Sequence, residues 1–264
     1  MLFDSFQSWL DEIKESDQLL YAPVLAYEIV QKNKKEEDIW EGVARAYQVM
    51  KEAVHTGLTE NMQSRSGMVN NSGKKVASNN LHVLSPEFTM LVASALGAKE
   101  VNSCMGRVVA APTAGASGIL PGVLTTAQKI HNLSDRTVHE GLLVASGIAL
   151  IIEHNASLSG AVGGCQAETG SAACMASGAL VYMLGGDPQQ DYNSLGIVIQ
   201  CMLGLICDPV AGLVEVPCIV RNASAASIAY AAAQMALSHV DAVIPVDECV
   251  KALGEVGQNM ETIY

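Results

Sequence analysis

Seven cysteines stand at positions 104, 165, 174, 201, 207, 218 and 249. A thiol can serve as a small buried hydrophobe, a nucleophile or a soft metal ligand, and its surroundings decide which. The odd count, without a secretory start, argues against a disulfide framework. Cys174 and Cys201 fall mid-helix among Ala, Met and Leu, where packing accounts for them. Cys249 belongs to a charged amphipathic helix, and Cys104 shortly precedes Gly106. The remaining three differ. Cys165 follows Gly163-Gly164, Cys207 precedes Asp208-Pro209, and Cys218 follows Pro217, so all three sit at bends where a thiolate can turn toward a shared point. Three soft ligands without a fourth would leave a position open for water or substrate, which is the arrangement of catalysis rather than of structure. The spacing C-x41-C-x10-C matches neither the compact ferredoxin runs nor the usual zinc fingers. Packing and metal binding both stay open on spacing alone.

The elements that must position these residues read as helices. In "DIWEGVARAYQVMKEAVHTG" the series Ile39, Val43, Tyr47, Met50 and Val54 lines one helical face. The first sixty residues accordingly read as an exposed amphipathic helix pair. Residues 59–84, rich in Ser, Asn and Gly, read as a long polar loop or chain of turns, the kind of segment that often carries function. "SPEFTMLVASALGA" opens with Ser85 as N-cap and Pro86 at the first helical position, with Gly97 as the expected stop. Further helices are expected near 117–130, 135–153, 167–184, 189–206, 218–238 and 246–256, with starts at Ser134, Asp187-Pro188, Pro217 and Pro245. Only "RVVAAP" suggests an extended run. Between Arg136 and Arg221 there is no lysine or arginine. This Ala- and Gly-dense stretch predicts closely packed core helices, and the fold class is all-α: a compact bundle of Ala/Gly-rich helices.

Composition narrows the function. The chain has 264 residues, half of them hydrophobic, enough for a sizeable core. A net charge of −12 with only 15 basic residues leaves no surface for phosphate neutralisation, so nucleic acid is not an expected partner. The uncharged stretches hold prolines, glycines and hydroxyls that weaken them as membrane spans, and no membrane association is expected. The acidic start "MLFDSFQSWLDEIKES" lacks the pattern of a signal peptide, which predicts a cytoplasmic protein.

Five stretches carry a resemblance: "SRSGM" (64–68), "APTAGASGILPGVL" (111–124), "EHNASLSGAVGGCQAE" (153–168), "GSAACMASG" (170–178) and "CDPVAGLVEVPCIVRN" (207–222). Together, and in this order, the chain resembles the catalytic α chain of bacterial iron–sulfur L-serine dehydratase over nearly its whole length. The resemblance implies one catalytic domain over 1–264, with an amphipathic helical segment at about 1–58. It implies conversion of L-serine to pyruvate and ammonia, in amino-acid degradation and gluconeogenesis, without pyridoxal phosphate. It implies a [4Fe-4S] cluster on Cys165, Cys207 and Cys218, whose iron lacking a cysteine acts as Lewis acid on the serine hydroxyl.

Given such a substrate, its carboxylate needs donors. Thr113 and Ser117, in a Gly-rich turn that opens a helix, are one candidate pair. Ser64, Arg65, Ser66 and Gly67 in the polar loop are another, with Arg65 able to pair bidentately. The plainer reading is that "PTAGASG" permits close helix packing and Arg65 is solvated. His154 could act as a base, orient one, or merely cap a helix end. Lys74 and Lys75 read as solvated charges. Two departures from the family pattern carry expectations. A "PSSSHT"-type motif of the β chain is absent, which predicts a separate β chain completing the site. Family members also extend past the equivalent of Tyr264 with a short tail, which predicts that this sequence is shortened. Self-association into a homo-oligomer is also expected. The competing readings are a related lyase for L-cysteine or L-threonine, and a non-catalytic helical partner subunit whose cysteines only pack or hold zinc.

Overall fold

The computed structural model describes residues 4–80 and 83–260; the chain end at Tyr264, past whose equivalent family members were expected to extend, lies outside them. Among the described residues there is no strand, only an isolated bridge between Gln63 and Asn70. Twelve α-helices run in order among the described residues: α1 (Phe6–Ser16), α2 (Tyr21–Val30), α3 (Glu36–Thr59), α4 (Ser72–Ser78), α5 (Pro86–Ser103) and α6 (Ile119–His131). They continue as α7 (Asp135–Asn155), α8 (Gly160–Cys165), α9 (Ser171–Met183), α10 (Pro188–Met202), α11 (Cys218–Leu237) and α12 (Val246–Gln258). The all-α expectation holds.

At the centre stands α9, whose residues are almost all buried. It packs against α6, α7, α10 and α11. A helix of Ala, Ser, Cys and Met with no polar face can only be stable when covered on all sides, and its small side chains let the neighbours close in. Caps fix the surrounding helices at their expected starts. Ser85 accepts from the Phe88 N–H, Ser134 from that of Thr137, and Asp187 forms a reciprocal capping box with Gln190.

The N-terminal segment differs from the expected exposed helix pair. It forms three helices, and α1 buries Phe6, Trp9, Leu10 and Ile13, worth ~1.5–3 kcal/mol per side chain. The Asp247 carboxylate of α12 accepts from the N–H groups of Phe6 and Gln7, tying the start of the chain to its last helix. The face predicted on α3 is correct: Ile39, Tyr47, Met50 and Val54 are buried and Val43 packs against the core.

Four local expectations are corrected. Gly97 does not end α5, which runs on to Ser103. Its bare backbone is instead a contact surface: a Cβ on Gly57 would fall 2.2 Å from the Gly97 carbonyl carbon, and one on Gly73 2.6 Å from the Gly97 Cα. The polar loop contains α4, held by the Glu100 carboxylate, which accepts from the N–H groups of Ser72 (2.7 Å) and Gly73 (3.0 Å). "RVVAAP" forms no strand, its residues 107–110 having no regular secondary structure. Cys201 is exposed, because the last turn of α10 turns that face outward. No single helix among the described residues is long and apolar enough to cross a membrane; α7 with α8–α9 passes that test only as a pair bent by 69°.

Candidate active site

Three segments converge on one cavity of about 610 Å³: the turn at Pro112–Thr113, the chain from Glu153 at the end of α7 into α8, and the loop between α10 and α11. Cys165 closes α8, directly after Gly164, whose φ of +77° turns the chain in a conformation suited to glycine. The next residues, 166–170, form a π-turn rather than continuing an α-helix. Such a turn displaces the side chains that follow and is frequent at functional sites. Here it directs Glu168 into the cavity.

Cys207 lies in the irregular loop after α10, which ends at Met202 and not near 206 as expected. Cys218 is the first residue of α11. The three sulfurs are near enough for the Cys165 charge to act on Cys207 and Cys218, and for that of Cys207 to act on Cys218. Burial first, then the charges of Cys165 and Glu168, push the Cys207 thiol up. Burial also raises Cys218, to about 11, with Lys99 opposing and Cys165, Glu168 and Cys207 adding. Among the described residues no three Cys, His, Asp or Glu side chains are gathered around a single-ion position. Cys207 is on the cavity wall while Cys165 and Cys218 are buried beside it, and three soft thiol donors are of the type that holds an iron–sulfur group. Gly160 keeps the space clear: a Cβ there would stand 3.5 Å from the Cys207 sulfur and 3.3 Å from Glu168 Oε2.

Buried polar residues fix these parts in place. Asn222, fully buried on α11, donates to the carbonyls of Gly115 and Cys218 and accepts from the Gly118 N–H, joining the Thr113 turn to the Cys218 helix. Gln166 donates to the Leu253 carbonyl and accepts from the Gly204 N–H. Arg221 donates to the Ile206 carbonyl and to Asp208, and also faces the Cys165 sulfur. Lys99, fully buried on α5, donates to the Val214 carbonyl at 3.1 Å and to Asn102. Burial lowers its ammonium to about 8, with Cys218, Glu168 and Glu215 opposing.

The substrate-binding candidates are distributed differently from expectation. Thr113 lines the cavity, but its hydroxyl donates to Glu168 Oε1. Ser117 is fully buried, its hydroxyl unpartnered among the described residues, and it does not line the cavity. In the 64–67 loop, Ser66 donates to Glu215 through its N–H (3.2 Å) and its hydroxyl (2.5 Å). Burial pushes the Glu215 carboxyl up, yet the Ser64 and Ser66 hydrogen bonds and the Lys99 charge outweigh it and hold it below its ordinary value. Gly67 turns this loop at φ +78°, and Arg65 is exposed. His154 is exposed on the last turn of α7 and does not line the cavity, whereas its neighbour Glu153 does. Lys74 and Lys75 bond to surface groups of nearby turns.

Sequence reasoning passed over Glu168, Lys99, Glu215, Arg221 and Asn222. Glu168 carried one signal: it is the only acid between Glu153 and Asp187, three residues after Cys165.

Comparison with known proteins gives the family. The family profile described as serine dehydratase alpha chain matches residues 15–264. The chain belongs to the serine dehydratase alpha chain family. One family relative, the probable L-serine dehydratase alpha chain of Bacillus subtilis (strain 168), is 38% identical over 264 residues, covering 99% of this chain and 88% of its own. The L-serine dehydratase alpha chain of Peptoniphilus asaccharolyticus is 39% identical over 254 residues, covering 95% and 87%. The L-serine dehydratase of Streptomyces coelicolor is 39% identical over 240 residues; the match takes in 87% of this chain but 52% of that protein.

Proposed function

We propose that this chain is the catalytic alpha subunit of an L-serine dehydratase, with Cys165, Cys207 and Cys218 holding a [4Fe-4S] cluster and a second polypeptide completing the site. The observation that carries this is that three thiols from three segments lie near enough for charge on one to act on another, with Cys207 and Glu168 on the wall of one cavity. An iron–sulfur cluster on three thiols supplies, when bound, Lewis acidity toward a substrate hydroxyl that is otherwise a poor leaving group.

The chain's own residues do the rest. Arg221 and Lys99 place positive charge beside the cysteines, which favours thiolate over thiol and so favours metal binding. Gln166 ties the Cys165 segment to the loop that carries Cys207, while Asn222 anchors the Cys218 helix to the Thr113 turn and Lys99 anchors that loop to α5, so the ligands need little reorganisation. Thr113 fixes the Glu168 carboxylate at the cavity wall. The aligned share of the longer Streptomyces relative leaves about half of that protein outside the match, which supports a second polypeptide here.

The test is anaerobic reconstitution with iron and sulfide, followed by pyruvate release from L-serine with and without the β chain. The expected protein is brown, oxygen-sensitive and active with its partner, and each of Cys165→Ser, Cys207→Ser and Cys218→Ser loses iron and activity. A folded protein that takes up no iron and releases no pyruvate beside its partner overturns the proposal.

A further inference from the structure

We infer that Glu168 is the residue that recognises the substrate's α-ammonium group and so makes the site selective for amino acids over their deaminated analogues. The inference rests on the serine dehydratase reading and deepens it. An amino acid at neutral pH brings one cation and one anion into the cavity. The cavity wall is complementary to the cation: among the described residues it carries the carboxylates of Glu153 and Glu168 and no lysine or arginine.

Of the two acids, Glu168 is the one held in place. Thr113 donates to its Oε1, and the carboxylate lies flush against Gly115, where a Cβ would come within 2.6 Å of both oxygens. Any larger residue at 115 would displace it. Glu153 is exposed at the end of α7 and has no comparable support. The unshared Oε2 of Glu168 and the Cys207 sulfur stand 3.3 and 3.5 Å from one point above Gly160. A molecule as small as serine therefore reaches both at once. Holding the ammonium on Glu168 places the rest of the substrate beside Cys207. A carboxylate whose one oxygen is already bonded keeps its orientation, so little conformational entropy is lost when the ammonium binds.

The wider surroundings fit the same role. Lys99 and Arg221 do not line the cavity, and each is bonded elsewhere, Lys99 to Val214 and Asn102 and Arg221 to Ile206 and Asp208, so neither pairs with the carboxylate from within it. Thr113, expected to bind the substrate carboxylate, becomes a positioning residue for Glu168.

The experiment compares the wild type with Glu168→Gln, in the complete anaerobic assembly with its second subunit and metal. L-Alanine, which lacks the leaving hydroxyl, and propanoate, which lacks the amine as well, serve as unreactive probes, with binding read by calorimetry and by competitive inhibition. In the wild type L-alanine binds far more tightly than propanoate. In Glu168→Gln the KM for L-serine and the dissociation constant for L-alanine both rise about 10- to 100-fold, while propanoate binding is unchanged. Thr113→Val, which leaves the carboxylate intact but unsupported, raises KM by about 3- to 10-fold. It alone decides if Glu168→Gln does not fold. Unchanged KM and unchanged L-alanine binding, or a loss confined to kcat, overturn the inference. A wild-type assembly that releases no pyruvate from L-serine overturns the parent reading instead, and the L-alanine and propanoate calorimetry still judges Glu168 on its own.

Discussion

Replacing Asp191 by Asn removes a carboxyl that the core holds at considerable cost. Asp191 lies in the first turn of α10 with 2% of its surface exposed, and its Oδ2 has no partner among the described residues. Its Oδ1 is 2.9 Å from the place a Cβ on Gly178 would occupy, so α9 seals it from the other side. Burial alone moves this carboxyl up from 3.8 to about 7. In the unfolded chain it titrates near 3.9, so between about pH 4 and about pH 7 the folded state keeps a proton that the unfolded state has released. Stability therefore falls as pH rises through that window and levels off above it, by about 4 kcal/mol in all. That is a large share of the 5–15 kcal/mol typical of a domain. Asn has no proton to lose, though its amide hydrogens need acceptors, at a cost of about 1–2 kcal/mol. The variant should match or fall slightly below the wild type near pH 5 and exceed it by about 2 kcal/mol near pH 8. Urea unfolding of both proteins across this range gives the difference directly, other titrating groups cancelling between them. Parallel pH profiles would refute the reasoning, since they would mean that the carboxylate is ionised in the fold and stabilised there.

Three further outcomes follow from the same physics. Asn222→Ala leaves the Gly118 N–H and the Gly115 carbonyl buried without their partner, and should cost about 2–4 kcal/mol in denaturant unfolding, with poorer iron retention on reconstitution. Gly57→Ala forces a methyl into the Gly97 backbone and should destabilise by about 3 kcal/mol or more, read as a lowered thermal midpoint. Lys99→Met should leave global stability within about 1 kcal/mol, because relief of a buried charge offsets the lost hydrogen bonds. In that variant hydrogen exchange across 207–216 should nonetheless accelerate, since the Val214 carbonyl loses one of its donors.

Helix starts were legible because their signals are local. Ser85, Ser134 and Asp187 each cap within three residues of themselves, and α3 shows its buried face in its own spacing. The bends beside the three cysteines were legible because Gly164, Pro209 and Pro217 mark them in the local sequence. What escaped depended on contacts between distant segments. The seven residues of α4 carry no apolar stripe, and their stabilising carboxylate, Glu100, lies 28 positions from Ser72. Gly97 has the sequence appearance of a stop, and only the approach of α3 and α4 makes it a surface for packing. Lys99 looks like an ordinary solvated residue near a helix end until the 207–218 loop covers it. The Thr113 hydroxyl could have faced a ligand or a side chain, and nothing within its own turn says that Glu168 arrives from 55 residues away.

The last turns of α5 carry a mechanical consequence. Gly97 and Glu100 secure α4, which closes the 60–71 loop, while Lys99 and Ser103 hold Val214 in the middle of the cysteine loop. Glu215 and Ser66 then link the two loops to each other. Both loops thus hang from a single spar less than two turns long, and a tilt of that spar carries them together instead of shearing one past the other. For the same reason the spar has little freedom to drift over evolutionary time: a change in its pitch that suited one loop would have to be absorbed by the other in the same step.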